Sequence, residues 1–295
     1  MKKKLPISVV CASHNGEDKI PKLIESIYQN TYWPQEIIIC GTSSNDFNLI
    51  NVNKYRKLSI KKLVSKIKSQ KYQRKKAQNS AKNNIILQLD DDLILKNNFI
   101  DLMFRHFKHN KEKKLVCALI LIKTKKKKSI AQSYRWNYFF YTNFIFRLVL
   151  RLFNYGRKIK NYSILPSGRI CPLLPKNFYK SKKVISGIEW TPSSICYEKS
   201  AIKEGDSNVD LKQKKSYYED VIFSHSLYNK GYKLLIDTNI VAYHPEFESL
   251  DIKEHLKTLK AQFFIVKTFK KNYIFFLLDV LFVSVYLFIK KIIRN

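Results

Sequence analysis

The stretch Ile85-Ile86-Leu87-Gln88-Leu89-Asp90-Asp91-Asp92 decides how the chain is read. Its first five residues, apolar but for Gln88, suit a buried strand. Three adjacent carboxylates then end it. Like charges this close repel at neutral pH, so they belong on a solvated loop or beside a compensating divalent cation. If the extended geometry persists, Asp90 and Asp92 share one side and Asp91 takes the other. The plain alternative is a polar turn that caps the next helix. The chemical alternative is Mn2+ or Mg2+ held by one or two carboxylates together with diphosphate oxygens.

The segments around this stretch alternate in type. Ile7–Ala12 and Glu36–Cys40 read as β-branched strands, and Ile60–Ile67 as a weaker one. Between them, Asp18–Asn30 carries Ile20, Leu23, Ile24 and Ile27 at helical spacing, with Pro21 tolerated in the first turn. Lys71–Asn83 and Phe99–His109 read as helices, and Leu115–Ile122 as a further strand. This alternation predicts an α/β fold with a mostly parallel central sheet flanked by helices. Ligands of such sheets sit beyond the carboxyl ends of the strands, where the aspartates lie.

The middle of the chain reads differently. Lys123–Lys128 is a solvated basic loop. Tyr138–Tyr155 is dense in aromatics with Arg147 and Arg151 one turn apart, either a membrane-contacting insertion or a core helix. Ser163–Lys182 is Pro-rich and irregular. Alternation resumes from Ile185 to Ala242 and ends at Tyr243-His244-Pro245. The expected organisation is one domain over 1–250, with a basic-aromatic insertion at about 123–182, and a helical tail over 251–295.

Composition narrows the function. The 295 residues hold 55 Lys and Arg against 23 Asp and Glu, a formal charge of +32. That surplus favours anionic partners: nucleic acid, a lipid surface or phosphorylated small molecules. Seven glycines and eight prolines exclude a collagenous chain. The five cysteines are odd in number and form no C-x-x-C pair, which argues against a zinc ribbon or a disulfide framework. They read as reduced, buried thiols of a cytosolic protein. Met1-Lys2-Lys3-Lys4 opens like a signal peptide, but the apolar run behind it is short and no cleavage site follows.

Tyr273–Ile289 is a 17-residue apolar run broken only by Asp279 and Ser284 and flanked by lysines. That is the low end for a membrane span. A helix lying in the interface fits at least as well, and a helix packed on the protein's own core is the third reading.

Two more features carry chemistry. Glu219-Asp220 opens an apolar-periodic stretch, as an N-cap with a charge–dipole contact or as a general base beside an acceptor hydroxyl. His244 follows an apolar strand, as a cap or as a neutral metal ligand.

In order and spacing, these features resemble the family-2 glycosyltransferases of the GT-A fold. The resemblance covers about residues 5–250. It rests on Ala12-Ser13-His14-Asn15 after the first strand, Gln29-Asn30-Thr31 and Pro34-Gln35-Glu36 around the second, Arg74 and Ala81 before Asp90-Asp91-Asp92, then Trp190, Glu219-Asp220, Ser224, Gly231 and His244.

The resemblance implies an inverting, metal-dependent hexosyltransferase of cell-surface polysaccharide synthesis. It places Asp92 and His244 on Mn2+ or Mg2+, and Asp90 and Asp91 near the ribose and donor sugar. Arg74 would approach the nucleotide or its phosphates. Ala12, Ser13, His14, Asn15 and Glu17 would line the base pocket. Asp220 would be the general base with Glu219 alongside, and Trp190 would lie on the acceptor side.

Where the family carries Asp-Asp after the second strand, this chain has Gly41-Thr42. Thr42 can hydrogen-bond a base but carries no charge, so UDP is favoured with GDP and dTDP open. The implied partners are a nucleotide-diphospho-sugar, a glycan or lipid-linked acceptor and an anionic membrane surface, at the cytoplasmic face. No nucleic acid is expected: helix-turn-helix, zinc and RNP signatures are missing. The competing readings are a nucleic-acid binder or metal-dependent nuclease, and a non-catalytic membrane-surface protein.

Overall fold

The computed structural model describes residues 2–108, 112–123, 129–131, 148–149, 151–156, 160–171, 183–205, 218–245 and 252–294. The elements follow in chain order as β1 (Lys4–Ala12), α1 (Ile20–Gln29), β2 (Trp33–Gly41), β3 (Ile60–Val64), α2 (Gln70–Asn79), β4 (Ile85–Asp90), β5 (Ile94–Leu95) and α3 (Phe99–Lys108). After them come β6 (Lys114–Lys123), β7 (Ser129–Ala131), β8 (Ser163–Ile164), β9 (Ile170–Cys171), β10 (Val184–Ile185) and β11 (Ile195–Glu198). The last are α4 (Ala201–Gly205), α5 (Glu219–Asn229), β12 (Lys233–His244), α6 (Ile252–Thr268) and α7 (Tyr273–Arg294).

One sheet runs β10-β12-β6-β11-β4-β1-β2-β3, with β5 added on β12 and β7 on β6. β1, β2, β3 and β4 are mutually parallel, and β6 is parallel to β12. The predicted parallel character holds for β1–β4 and for the β6–β12 pair, while the short β5, β7 and β10 add antiparallel. It fails at the centre, where β11 runs antiparallel to both β4 and β6. An apolar run covered on both faces looks the same in either direction, so the sequence carried no signal for this reversal.

Alternate residues of each strand feed two separate cores. Leu5, Ile7, Val9 and Cys11 of β1 meet α1 and α3, through Leu23, Ile24, Phe99 and Met103 among others. Val10 faces the opposite layer with Ile38, Ile86, Tyr197, Ala77 of α2 and Val221 of α5. The α1 stripe Ile20, Leu23, Ile24 and Ile27 is wholly buried, as its spacing predicts.

Register then delivers the functional edge. Ala12, at the end of β1, pairs with Cys40 on one side and Asp90 on the other. Three strand ends therefore open onto one rim. The short β5 adds antiparallel to Ala242 and Tyr243 of β12, which carries the chain just past Asp92 up to His244.

Much of Lys123–Lys128, Tyr138–Tyr155 and Ser163–Lys182 lies outside the described residues. The described part of the last is a small β8–β9 hairpin. Tyr273–Ile289 falls inside α7. The membrane-spanning reading is not supported: among the described residues no helix is long and apolar enough to cross a membrane. Asp279, the one charge within that run, is 1% exposed and packed against the protein rather than turned outward.

Leu87 is fully buried at the centre of the sheet. Leu87→Ala should lower unfolding free energy by about 2–5 kcal/mol, read as a smaller midpoint in urea denaturation with an unchanged slope.

Candidate functional site

The three aspartates fan out to three different elements. Asp90 is the last residue of β4, and the chain turns at Asp91 and Asp92. Strand alternation stops there, so the expected sharing of one side by Asp90 and Asp92 does not describe the site. Arg74 Nη2 of α2 donates to Asp90 Oδ1 at 2.5 Å. Ser13 Oγ, at the end of β1, donates to Asp91 Oδ2 at 2.5 Å. Asp92 Oδ1 lies 3.2 Å from His244 Nε2 at the end of β12.

Arg74 also lies 3.4 Å, from Nη1, to Glu219 Oε2 at the start of α5. It is 5% exposed. A buried guanidinium must be paired, and this one sits between two carboxylates while lining a cavity with Lys71, Lys75 and Asp220. Asp220 is the next residue on α5. It is the second residue of the helix and not its cap: the cap position is Tyr218, held at φ +61° with no side-chain hydrogen bond. A left-handed backbone at a tyrosine is strained, a feature that clusters at functional sites. Ser224 Oγ donates to the Asp220 carbonyl and accepts from Thr191 N–H, which ties the first turn of α5 to the segment before β11.

The electrostatics separate the carboxylates. Burial, with Asp90 and Glu219 adding, pushes Asp220 up to about 6 despite Arg74. Burial pushes Asp91 up to about 6 as well, against the Ser13 bond and Lys19. Glu219 is raised by burial too, against Arg74. Asp92 goes the other way: the His244 imidazole outweighs burial and holds it below the usual carboxylate range. His244 is raised in turn, its loss of solvent outweighed by Asp92. Asp90, Asp91, Asp92, Glu219 and Asp220 outnumber the cations that act on them, Arg74, Lys19 and Lys71 among the described residues. The site is acidic within a chain of charge +32.

This acidity bears on metal binding. Among the described residues no group of three or more His, Cys, Asp or Glu could by itself hold a metal ion. Asp92 Oδ1 is nonetheless buried without a hydrogen bond, and its contact with His244 is not aligned as one. One orphaned carboxylate oxygen beside one imidazole fits a hard divalent cation whose remaining positions come from substrate oxygens and water.

The profile of glycosyl transferase family 2 matches residues 8–163, just over half of the chain. The chain belongs to glycosyl transferase family 2.

Solved structures resemble it at low identity. S. aureus TarS 1–349 in complex with UDP superposes with a TM-score of 0.52 at 14% identity, covering 89% of this chain and 65% of that one. The same protein in complex with UDP-GlcNAc gives 0.53 at 14%, covering 89% and 66%. GalNAc-T7 with UDP, GalNAc and Mn2+ gives 0.61 at 16%, covering 88% and 47%. The chain thus spans less than two thirds of each of these structures. No curated protein matches it in sequence. The shared architecture is the GT-A fold.

In this family-2 chain the first two strand ends form a polar rim. Ala12 and Ser13 are buried, whereas His14, Asn15 and Glu17 are exposed on the loop above them. His14 Nδ1 lies 3.1 Å from Thr42 Oγ1. Asn15 takes a left-handed φ of +52°, which asparagine tolerates better than most residues. Trp190 is 4% exposed; its indole N–H donates to the Ser163 carbonyl and its ring packs on Tyr162. Its place is in the core beside the site, so an acceptor-side role would have to act through its neighbours.

Three further residues organise this rim. Asp46 accepts from the N–H groups of Gly16, Thr42 and Ser43 and from Thr42 Oγ1, at 2.9, 2.7, 3.1 and 3.2 Å. Burial opposes its charge, yet these bonds hold its carboxyl below the usual range. Its Oδ2 also explains Gly41, where a Cβ would lie 2.7 Å away. Gln73 Nε2 donates to the Ser13 and Cys40 carbonyls and staples the ends of β1 and β2. Lys19 Nζ stands 3.8 Å from Asp91. The signal for Asp46 was present in the sequence: Ser43-Ser44-Asn45-Asp46 is a capping box. Gln73 and Lys19 left no such trace.

Asp46→Ala removes an acceptor shared by two loops. It should cost about 1–3 kcal/mol in urea denaturation, with Asp46→Asn losing less because one acceptor oxygen remains.

Proposed function

We propose that the protein transfers a hexose from a nucleotide-diphospho-sugar, UDP favoured, to a hydroxyl of a glycan or lipid-linked glycan, with inversion, in cell-surface polysaccharide synthesis. The observation that carries this reading is Asp220. It is a carboxylate at a helix start, raised to about 6, across one arginine from the aspartates that end β4. Family membership supplies the reaction class. UDP is favoured because TarS and GalNAc-T7, which share the fold, are seen with UDP. Five free, buried cysteines suit a reducing compartment and support action at the cytoplasmic face.

The residues divide the work. A base near 6 is ionised at neutral pH yet retains enough basicity to take a proton. Asp220 accepts the proton of the acceptor hydroxyl as that oxygen bonds to the anomeric carbon. The bond from that carbon to the diphosphate breaks, and the diphosphate leaves with the electron pair on the opposite face. Arg74 neutralises Asp90 and Glu219, so that these two carboxylates and Asp220 coexist beside one another. Ser13, His14, Asn15, Glu17 and Thr42 offer polar atoms to the nucleotide, and Lys19 offers a cation for its phosphates. Asp92 and His244 would hold Mn2+ or Mg2+, which supplies positive charge for the departing diphosphate.

Donor binding is tested by calorimetry with UDP, with and without Mn2+. Wild type should bind UDP in a metal-dependent manner and Asp92→Ala should lose the metal dependence. Absence of any metal-dependent nucleotide binding in the wild type would overturn the proposal.

Asp220→Asn should lower kcat by about 10²–10⁴-fold with donor affinity kept, as measured by sugar-nucleotide turnover. The base must be deprotonated to act, so its raised value predicts a wild-type rate that falls about tenfold per pH unit below about 6. Arg74, Asp90 and Glu219 face Asp220, together with the buried Cys117 thiol. A rate independent of pH down to 5 would exclude Asp220 as the base.

A further inference from the structure

Helix α7 has two unlike faces. Asp279 and Val283 point inward, at 1% and 3% exposure. Asp279 accepts from Arg169 Nε at 2.8 and 3.1 Å and from Gln262 Nε2 at 2.7 Å, and Gln262 donates in addition to the Ser167 carbonyl. The single charge within the apolar run is thereby neutralised on the protein side. The other face shows Ile274, Leu277, Leu278, Leu281, Val285 and Phe288, each 47–68% exposed. These positions follow helical spacing over about 21 Å.

Neighbouring segments extend the surface. Tyr155 packs its ring on Phe275 at 5.0 Å, and Leu152, three residues earlier, is 62% exposed. Phe263 of α6 is 46% exposed and contacts the rings of Tyr273 and Phe276. An apolar surface drawn from three segments is unusual for a face left in water.

Charge identifies the occupant. Residues 252–294 contain nine Lys and Arg and two acids, and one of those acids, Asp279, is the buried one. Lys260 and Lys267 of α6 and Lys270 in the turn before α7 are exposed. A second copy joined through this face by two-fold symmetry would set basic flanks against basic flanks. An anionic lipid surface matches both the apolar face and its basic border.

We infer that the outer face of α7 docks this protein on an anionic membrane, with the helix lying in the interface plane. It does not span the bilayer, because the Asp279 face is committed to Arg169 and Gln262.

The test is co-sedimentation of the full chain with phosphatidylcholine vesicles, with and without phosphatidylglycerol. The comparison is wild type against Leu277→Ser/Leu281→Ser. Both leucines are exposed, so the variant should keep its fold, checked by circular dichroism and by unchanged UDP binding. The variant also keeps every charge. It therefore separates insertion of the apolar face from general attraction of a basic chain to anionic lipid. Wild type should sediment with the anionic vesicles, and the variant should partition about tenfold more weakly. Equal binding of the two proteins, or none by wild type, would overturn the inference. So would a wild-type dimer in light scattering that the substitutions dissociate, with no vesicle binding: the face would then belong to a second copy.

Discussion

One guanidinium joins the two parts of the site. Arg74 reaches Asp90 at the end of β4 and Glu219 at the start of α5. Each of those carboxylates is poorly solvated and close to others. Without a buried cation between them, their repulsion would push α5 away from the sheet edge or force them to take up protons. Asp220, the next residue on α5, owes its position to this bridge. Its raised value reflects the same balance, with burial and neighbouring acids slightly ahead of Arg74.

The rest of the rim is held by neutral and anionic groups acting on backbone. Asp46 gathers three N–H groups from the loops after β1 and β2, and Gln73 gathers two carbonyls from the same strand ends. These contacts fix the floor and leave His14, Asn15, Glu17 and Lys19 free to face solvent. The departure from the family pattern at Gly41 has a local cause: Asp46 fills the space that a side chain there would need. An acidic pocket inside a basic chain then has a simple electrostatic logic. The surface draws anions toward the molecule, and under the proposed function the pocket would take a polyanionic donor most readily together with a divalent cation.

The C-terminal helices belong to the same body. Ile265 of α6 lies in the core shared by α2 and α5, and Phe269 packs edge-on against His225 of α5. That imidazole donates from Nδ1 to the Glu189 carbonyl and is pushed down to about 4 by burial, so it is neutral at physiological pH. The tail thus rests on the helix that carries Asp220. A surface that holds α7 in place also holds the layer that carries Asp220 at a fixed distance from whatever α7 touches.

The sequence by itself determined the layered α/β fold, the strand that ends in Asp90-Asp91-Asp92, the helix that begins at Glu219-Asp220 and the strand that ends at His244. These follow from short-range periodicity and from which residue types tolerate burial, both of which are local properties of the chain. Tertiary structure alone decided the antiparallel β11, the division of three adjacent aspartates among Arg74, Ser13 and His244, and the role of Arg74 as a clamp. It also decided that Asp279 turns inward and leaves one clean apolar face. Each of these depends on partners far away in the chain. A charged side chain's meaning is set by what it meets after folding, and no spacing along the sequence records that meeting.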